Sequence, residues 1–308
     1  MLDDENCHTP NSAPTELPID VSQELTEATR KKSQTLWDAL RRLAQPIVAF
    51  SGGVDSALVA AVLARVNPYE TLLVTADSPS LSQRQREIAA RVARELNLRH
   101  QWLQTTEAED PFYQRNQRDR CYYCKSHLYS ALQALAKNHP GATILSGTNL
   151  DDLSDFRPGL RAAGERHVQA PLADAGFTKS DVRELARALR LTVHDLPAAP
   201  CLASRLAYGV SVTRERLQRV ERAEHMIWQA GFTDVRVRVL DREVARLEVP
   251  RSEVSRLQSW LEDSNRVEQL RELGFNEVVI APEGLVSGSL NIVPTINATK
   301  TLPILPVL

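Results

Sequence analysis

The 308-residue sequence has few aromatic residues, few cysteines, almost no net charge and no long apolar run. Its apolar runs are far too short to span a bilayer, and residues 1–20 lack the basic head and apolar stretch of a secretory signal. Four cysteines do not make a disulfide scaffold, and an intracellular chain usually keeps such cysteines reduced. We therefore expect a soluble cytoplasmic protein with no membrane partner.

The charge balance also argues against a nucleic-acid partner. Lysine and arginine number 37 against 39 acidic residues, which gives a formal net charge of −2, and aromatic residues make up only 5% of the chain. An RNA-binding protein is expected to have a basic surface with aromatic or arginine-rich segments. At 308 residues, with 43% hydrophobic residues, the chain is long enough for two domains.

Strands and helices are predicted to alternate after a disordered leader at residues 1–20. The predicted strands are the apolar runs PIVAF, TLLVTA, HQWLQ and ATILSG, and the predicted helices lie near 22–44, 54–66, 81–97 and 177–190. This alternation predicts an α/β fold, a mainly parallel, doubly wound sheet, in a domain at 21–210.

The pattern changes after residue 210. A predicted helix at 213–230 precedes DVRVRVL and REVARLEV, which alternate in polarity like the two strands of a hairpin. A helical stretch at 251–273 and the strand NEVVIA follow. We predict a smaller α+β domain at 211–291 and leave the tail at 292–308 unassigned.

The stretch SGGVDS at 51–56 lies between a predicted buried strand and a predicted helix. Two glycines let backbone N–H groups approach an anion, and a helix N-terminus supplies unsatisfied donors and partial positive charge. The Gly-Lys-Ser/Thr ending of the ATPase P-loop is absent. The alternative is a simple Gly-Gly turn with Ser and Asp as helix caps. The surrounding strand and helix favour a phosphate-binding loop.

The pattern RDRCYYCKSHL places Cys121 and Cys124 three positions apart at a predicted helix start, and Cys201 follows much later in PAAPCLASR. The residues alone leave four alternatives open. They are a redox pair, a zinc site that includes His127, an iron–sulfur site, and inert buried thiols.

SGGVDS resembles the PP-loop of ATP pyrophosphatases, which have the adenine nucleotide alpha hydrolase-like fold and split ATP between the α- and β-phosphates. The resemblance implies that one run of residues holds the pyrophosphate moiety of ATP: Ser51, Gly52, Gly53, Val54, Asp55 and Ser56. It also implies that Asp55 meets Mg²⁺. SGTNLDD at 146–152, which contains Gly147, resembles a second nucleotide-facing loop.

Four further segments resemble the LarE family of ATP-dependent sulfur transferases: TNLDDLSDFRPGLRAA, PLADAGFTKSDVRELA, PAAPCLASRLAYG and FTDVRVRVLDREVARLEV. That family acts in nickel-pincer nucleotide synthesis, a cofactor pathway. The resemblance implies adenylation of a carboxylate of pyridinium-3,5-biscarboxylic acid mononucleotide, followed by replacement of oxygen with sulfur and release of AMP. It also implies a homo-oligomer, and sulfide or another compound as the sulfur donor.

The resemblance assigns the sulfur-bearing role to Cys201, which Arg205 could favour as a thiolate if the segment turns back on itself. For members with a CxxC, it implies that Cys121, Cys124 and Cys201 ligate a [4Fe–4S] cluster. Arg236 and Arg238 stand two apart on a predicted strand and point to one face, which suits the substrate phosphate. Lys125 and Arg205 are further candidates for substrate binding.

Two other functions remain open at this point. A PP-loop tRNA thiolase also combines ATP with a CxxC and a distant third cysteine, although the acidic balance disfavours it. A nucleotide-binding module without chemistry would hold AMP or ATP on SGGVDS and leave the cysteines incidental.

Overall fold

The computed structural model describes residues 18–153, 158–197, 199–286 and 302–303. Its α-helices, in chain order, are α1 (Ile19–Gln23), α2 (Glu27–Leu40), α3 (Val54–Val66), α4 (Gln83–Glu95), α5 (Pro111–Gln114), α6 (Arg120–Ala136), α7 (Leu150–Leu153), α8 (Pro158–Glu165), α9 (Pro171–Asp174), α10 (Lys179–Ala188), α11 (Arg214–Gln229), α12 (Val254–Leu261) and α13 (Ser264–Glu272). Its strands are β1 (Gln45–Ala49), β2 (Leu72–Asp77), β3 (Arg99–Gln104), β4 (Ala142–Leu145), β5 (Arg236–Val239), β6 (Val244–Glu248), β7 (Glu277–Ile280) and β8 (Leu302–Pro303). Most of the predicted leader and tail, together with Cys7, lies outside the described residues.

The described residues divide into two compact units, and segments of the two alternate along the chain. Among the described residues, unit 1 draws on those up to 77, on 83–104 and on those between 125 and 199, and unit 2 draws on 78–82, on 105–124 and on those from 200 onward. The domains predicted from sequence are contiguous, whereas unit 2 also takes up two short stretches that lie between segments of unit 1. Those stretches directly follow β2 and β3, so the chain leaves unit 1 after each of these two strands.

The sheet of unit 1 is parallel, with the spatial order β3-β2-β1-β4. Ile47 in β1 pairs with Leu72 of β2 on one side and with Ile144 of β4 on the other. Parallel neighbours need a crossover connection, which α3 supplies between β1 and β2 and α4 supplies between β2 and β3. The predicted α/β fold with a mainly parallel sheet is confirmed.

Helix α3 lies in the core of unit 1. Its sequence, VDSALVAAVLARV, is apolar almost all round, which predicts a helix buried on every side. Leu58, Val59, Ala60 and Leu63 are completely buried. The sequence predicted this helix at 54–66, and the structure has the same bounds.

Two helical stretches predicted as continuous are each broken by a capping residue. The stretch at 22–44 is divided into α1 and α2 at Thr26, whose hydroxyl accepts a hydrogen bond from Thr29 N at 3.3 Å. The stretch at 251–273 is divided into α12 and α13 at Asp263, whose carboxylate accepts from Asn265 N at 3.1 Å. A side-chain cap satisfies N–H groups that a continuing helix would satisfy with its own carbonyls, so each predicted helix was too long.

The sheet of unit 2 has the order β5-β6-β7-β8. β5 and β6 are antiparallel, with Arg236 opposite Glu248, which confirms the predicted hairpin. β7, the predicted strand NEVVIA, pairs with β6 in parallel. Val237, Ala245 and Leu247 are completely buried, so one face of this sheet is packed against the core of the unit. In the described part of the chain, no helix is both long and apolar enough to cross a membrane.

We expect Asp181→Asn to destabilise unit 1 at neutral pH by about 1 kcal/mol, a figure reduced for solvent screening. Burial alone would raise the pKa of Asp181, but hydrogen bonds from Lys32 and Thr178 lower it to about 2. Lys32 Nζ lies 2.6 Å from its carboxylate, and Thr178 N donates to it at 2.8 Å in a capping box that starts α10.

Because the folded pKa is below the ordinary value, this stabilisation is present above about pH 4 and is lost as the pH falls toward 2. Urea unfolding of both proteins at pH 7 and near pH 3 measures the effect, and the difference between the two curves should be smaller at the lower pH. Equal curves at pH 7 would show that Asp181 contributes nothing.

Candidate active site

The sheet of unit 1 changes direction between β1 and β4, and the nucleotide-binding residues predicted from sequence follow the carboxyl ends of these two strands. The chain runs from β1 through β2 to β3 on one side of the sheet and places β4 on the other side. The order therefore reverses between β1 and β4, which is where open parallel sheets bind ligands. SGGVDS follows β1 and SGTNLDD follows β4, so the two predicted nucleotide loops meet at this point.

SGGVDS is held in shape by its own serines. Ser56 Oγ accepts from Ser51 N at 3.2 Å and donates to Gly53 O at 3.1 Å, while Ser51 Oγ accepts from Gly53 N at 3.3 Å. Gly53 is the N-cap of α3 and has no side chain to cover the first N–H groups of that helix. Val54 packs its side chain into the core, so only its backbone is available to a nucleotide. The arrangement presents backbone donors and the end of a buried helix, as an anion site requires.

Two glycines allow backbone segments to approach each other closely here. Gly52 has φ +73°, and a Cβ at that position would lie 2.7 Å from Ala89 Cα. A Cβ at Gly147 would lie 2.6 Å from Ser56 N and 3.0 Å from the carbonyl carbon of Asp55. Both contacts are with backbone, which cannot rotate away. Gly147 therefore packs directly on the N-terminus of α3, as its predicted place in the nucleotide site requires.

The sequence prediction missed Lys179, whose side chain reaches SGGVDS. Lys179 Nζ lies 2.5 Å from Asp55 Oδ2, and Asn149 Nδ2 donates to Asp55 Oδ1 at 3.0 Å. SGGVDS lacks the Gly-Lys-Ser/Thr ending that would place a lysine in the loop itself. Lys179 instead comes from the first residue of α10, where Asp151 fixes its backbone N–H at 2.8 Å. The only sequence signal was the TKSD capping pattern, which placed Lys179 at a helix start but not at a particular place in the sheet.

None of the three described cysteines is in a disulfide, and all three lie in unit 2. Cys121 and Cys201 are exposed, and Cys124 is partly buried within the first turns of α6. Tyr113 is almost fully buried; burial raises the pKa of its phenol, and Cys201 and Cys124 raise it further.

The segment after Cys201 does turn back on itself, as a 3₁₀ turn at Leu202–Arg205. Arg205 Nη1 donates to Pro200 O at 2.5 Å and to Cys201 O at 3.3 Å. Burial lowers the pKa of Arg205, but Glu224, whose carboxylate lies 2.8 Å away, and Cys201 raise it above the ordinary value. A permanent positive charge is thus held beside Cys201, in line with the predicted support for a thiolate.

The other predicted substrate-binding residues have different environments. Arg238 is buried, with Nε 3.0 Å from Glu248 and Nη1 donating to Ser204 O at 2.7 Å, so it also supports the segment after Cys201. Burial lowers the pKa of Arg236, and the neighbouring Arg205 and Arg238 lower it further, as expected for guanidiniums that share one face. Lys125 belongs to unit 1, where its Nζ lies 5.8 Å from the ring centre of Tyr129. Their role with a substrate stays a prediction.

Among the described residues, no group of three or more His, Cys, Asp and Glu side chains is placed to hold a metal ion. The structure therefore supports neither the predicted zinc site with His127 nor the predicted [4Fe–4S] cluster. Cys121, Cys124 and Cys201 have the thiol chemistry that cluster ligands require, and the cluster stays a prediction.

Comparisons with known proteins match this chain to a family model and to several relatives. Residues 35–116 match the family model described as asparagine synthase. The chain is 36% identical over 261 residues to the pyridinium-3,5-bisthiocarboxylic acid mononucleotide synthase of Lactiplantibacillus plantarum, covering 84% of this chain and 94% of that protein. It is 39% identical over 264 residues to an uncharacterised protein of a Synechocystis strain, covering 86% and 98% of the two chains. It is 28% identical over 235 residues to an uncharacterised protein of Methanocaldococcus jannaschii, covering 76% and 88%.

Proposed function

The chain belongs to the LarE family, and from that premise we propose that it is an ATP-dependent sulfur transferase acting on pyridinium-3,5-biscarboxylic acid mononucleotide in nickel-pincer nucleotide synthesis. The observation that carries the proposal is the 36% identity to the Lactiplantibacillus plantarum synthase over 84% of the chain. The phosphate-binding geometry of unit 1 and the free thiols of unit 2 supply the two chemical parts that such a reaction needs. We place the reaction in the cytoplasm, where thiols stay reduced.

The first step makes a carboxylate reactive. A carboxylate is a poor electrophile because its leaving group is an oxide. An oxygen of the substrate carboxylate attacks the α-phosphorus of ATP, pyrophosphate leaves, and an acyl adenylate forms. SGGVDS and Gly147 hold the phosphates, and Lys179 adds positive charge where negative charge accumulates. Mg²⁺ bound to ATP completes the neutralisation.

The second step forms the carbon–sulfur bond. A thiolate sulfur attacks the acyl carbon, the bond to the AMP oxygen breaks, and AMP leaves. When Cys201 itself is the donor, a base then removes its Cα proton, the Cβ–Sγ bond breaks and the thiocarboxylate leaves with the sulfur, so that dehydroalanine remains and the enzyme turns over once. Cys121, Cys124 and Cys201 would be the ligands of a [4Fe–4S] cluster, which would supply a means of delivering exogenous sulfide. Arg205 holds the Cys201 segment in place in either case.

Incubation with ATP, Mg²⁺, sulfide and the biscarboxylate nucleotide tests the proposal directly. We expect AMP, pyrophosphate and a product with the mass of an oxygen-to-sulfur exchange. AMP release that requires tRNA rather than the pyridinium nucleotide would identify a tRNA thiolase instead. Tight AMP or ATP binding without turnover under any of these conditions would identify a binding module.

Cysteine replacement tests the ligand set. After anaerobic reconstitution with iron and sulfide, the parent protein should bind about four irons per chain and absorb broadly in the visible region. Cys121→Ala and Cys124→Ala should each abolish both signals, because two thiolates do not hold such a cluster. Cys7→Ala is the control and should leave iron content unchanged. Retention of the same iron content by Cys121→Ala or Cys124→Ala would exclude this ligand assignment.

A further inference from the structure

Asn116 pins the stretch that follows Cys201 to the stretch that precedes Cys121. It is completely buried and adopts φ +52°, a left-handed conformation that asparagine tolerates better than most residues. Its Nδ2 donates to Ala207 O and to Val210 O, both at 2.8 Å, and its own carbonyl accepts from Gly209 N at 3.1 Å. Asn116 therefore fixes the turn at 207–210 through both its side chain and its backbone carbonyl.

Arg120 connects the same two stretches close to Cys121 and Cys201. Its Nη1 donates to Asn116 Oδ1 at 2.6 Å and to Ala203 O at 2.8 Å, two residues after Cys201. Its Nη2 lies 4.0 Å from Cys121 Sγ, at the outer limit of a hydrogen bond to sulfur. A planar guanidinium presents its donors in a fixed fork, so a residue oriented by Asn116 fixes both segments at once.

Arg120 is only 7% exposed, so its guanidinium makes these hydrogen bonds in the interior of unit 2.

We propose that Arg120, oriented by Asn116, is a positioning residue that holds the Cys201 segment beside the Cys121–Cys124 pair so that three sulfurs face one ligand. The purpose of this arrangement rests on the proposed sulfur transfer, but the arrangement itself rests on contacts within unit 2. Lysine at position 120 keeps the charge and loses the fork. Arg120→Lys therefore separates positioning from charge.

Thiol crosslinking of the metal-free, reduced chain tests the proposal. In a Cys7→Ala/Cys124→Ala background only Cys121 and Cys201 remain, so a short bismaleimide that joins two thiols reports on their proximity, and peptide mass mapping identifies the bridge. We expect the bridge to form readily in this background and to fall by roughly fivefold or more when Arg120→Lys is added. Arg118→Lys, an exposed neighbour, is the matched control and should leave the bridge unchanged.

Near-UV circular dichroism and thermal unfolding confirm that each variant is folded, since a loss of stability alone does not change bridging in folded protein. Should Arg120→Lys fold poorly, Asn116→Asp tests the same tie, because aspartate keeps an acceptor for Arg120 and loses the donors to residues 207 and 210. A folded Arg120→Lys or Asn116→Asp variant that bridges as well as the parent background overturns the proposal. So does a parent background in which Cys121 and Cys201 do not bridge.

The crosslinking needs no ATP, iron or pyridinium nucleotide, so its outcome is independent of the proposed activity. A protein that bridges as expected but makes no thiocarboxylate refutes the proposed function and leaves the positioning role standing. A protein that makes thiocarboxylate with undiminished bridging in Arg120→Lys refutes only the positioning role.

Discussion

Cys201→Ala is expected to lower thiocarboxylate formation by at least about a thousandfold, because it removes the sulfur that attacks the acyl adenylate or completes the cluster. AMP formation should continue, since the phosphate loop belongs to unit 1 and Cys201 belongs to unit 2. Without a sulfur nucleophile, the adenylate is hydrolysed by water or stays bound. Separate measurement of AMP and of product mass therefore shows one signal retained and the other lost.

Two features of the structure make this replacement informative. The Cys201 side chain is exposed, so alanine leaves no buried cavity and the fold should persist. The turn after it is held through backbone carbonyls by Arg205, which alanine does not disturb. Cys7→Ala, as a control, should retain both signals. Thiocarboxylate formation within tenfold of the parent in Cys201→Ala would exclude Cys201 from the transfer.

Gly147→Ala is expected to produce the opposite pattern, lowering ATP-dependent AMP formation by about a hundredfold. The new Cβ would lie 2.6 Å from Ser56 N, so the N-terminus of α3 must shift away from the position that cradles phosphate. Small displacements of this size cost large factors because the donors must be aimed at the reacting group. Calorimetry with ATP and an AMP assay measure the two consequences.

Gly164→Ala is a matched control for this change. Gly164 lies in α8 and has nothing within 4 Å of the position of a new Cβ, so alanine should have no effect on AMP formation. The reactivity of the three thiols should be the same in both variants because unit 2 is untouched. If Gly147→Ala and Gly164→Ala turn over ATP equally, the loop after β4 takes no part in nucleotide binding.

The elements of unit 1 were predictable because local signals agree there. α3 is apolar all round, β1 is a short apolar run, and two glycines stand between them. Each signal has a range of a few residues, so one sequence suffices to interpret it. The helix breaks at Thr26 and Asp263 were missed because a threonine or an aspartate fits a helix interior nearly as well as a cap in sequence alone.

The site was predictable only where its residues are adjacent in the sequence. Lys179 reaches Asp55 from 124 positions away, and Arg120 reaches Ala203 O from 83 positions away. No sequence periodicity connects such pairs. The order of the strands in the sheet and the alternation of the two units along the chain determine which distant residues become neighbours. The resemblance to a family identified Cys201 and the arginines, but it did not indicate that Arg205 and Arg238 bind Glu224 and Glu248.

The interleaved chain also sets an order of events during protein synthesis. Every segment of unit 1 precedes Cys201, whereas unit 2 draws its residues from both sides of it. A chain emerging from the ribosome exposes Cys121 and Cys124 first, while their partner segment and the strands from β5 onward are still untranslated. The third cysteine therefore becomes available only after all the segments of unit 1 have been translated, and the strands that complete unit 2 follow it.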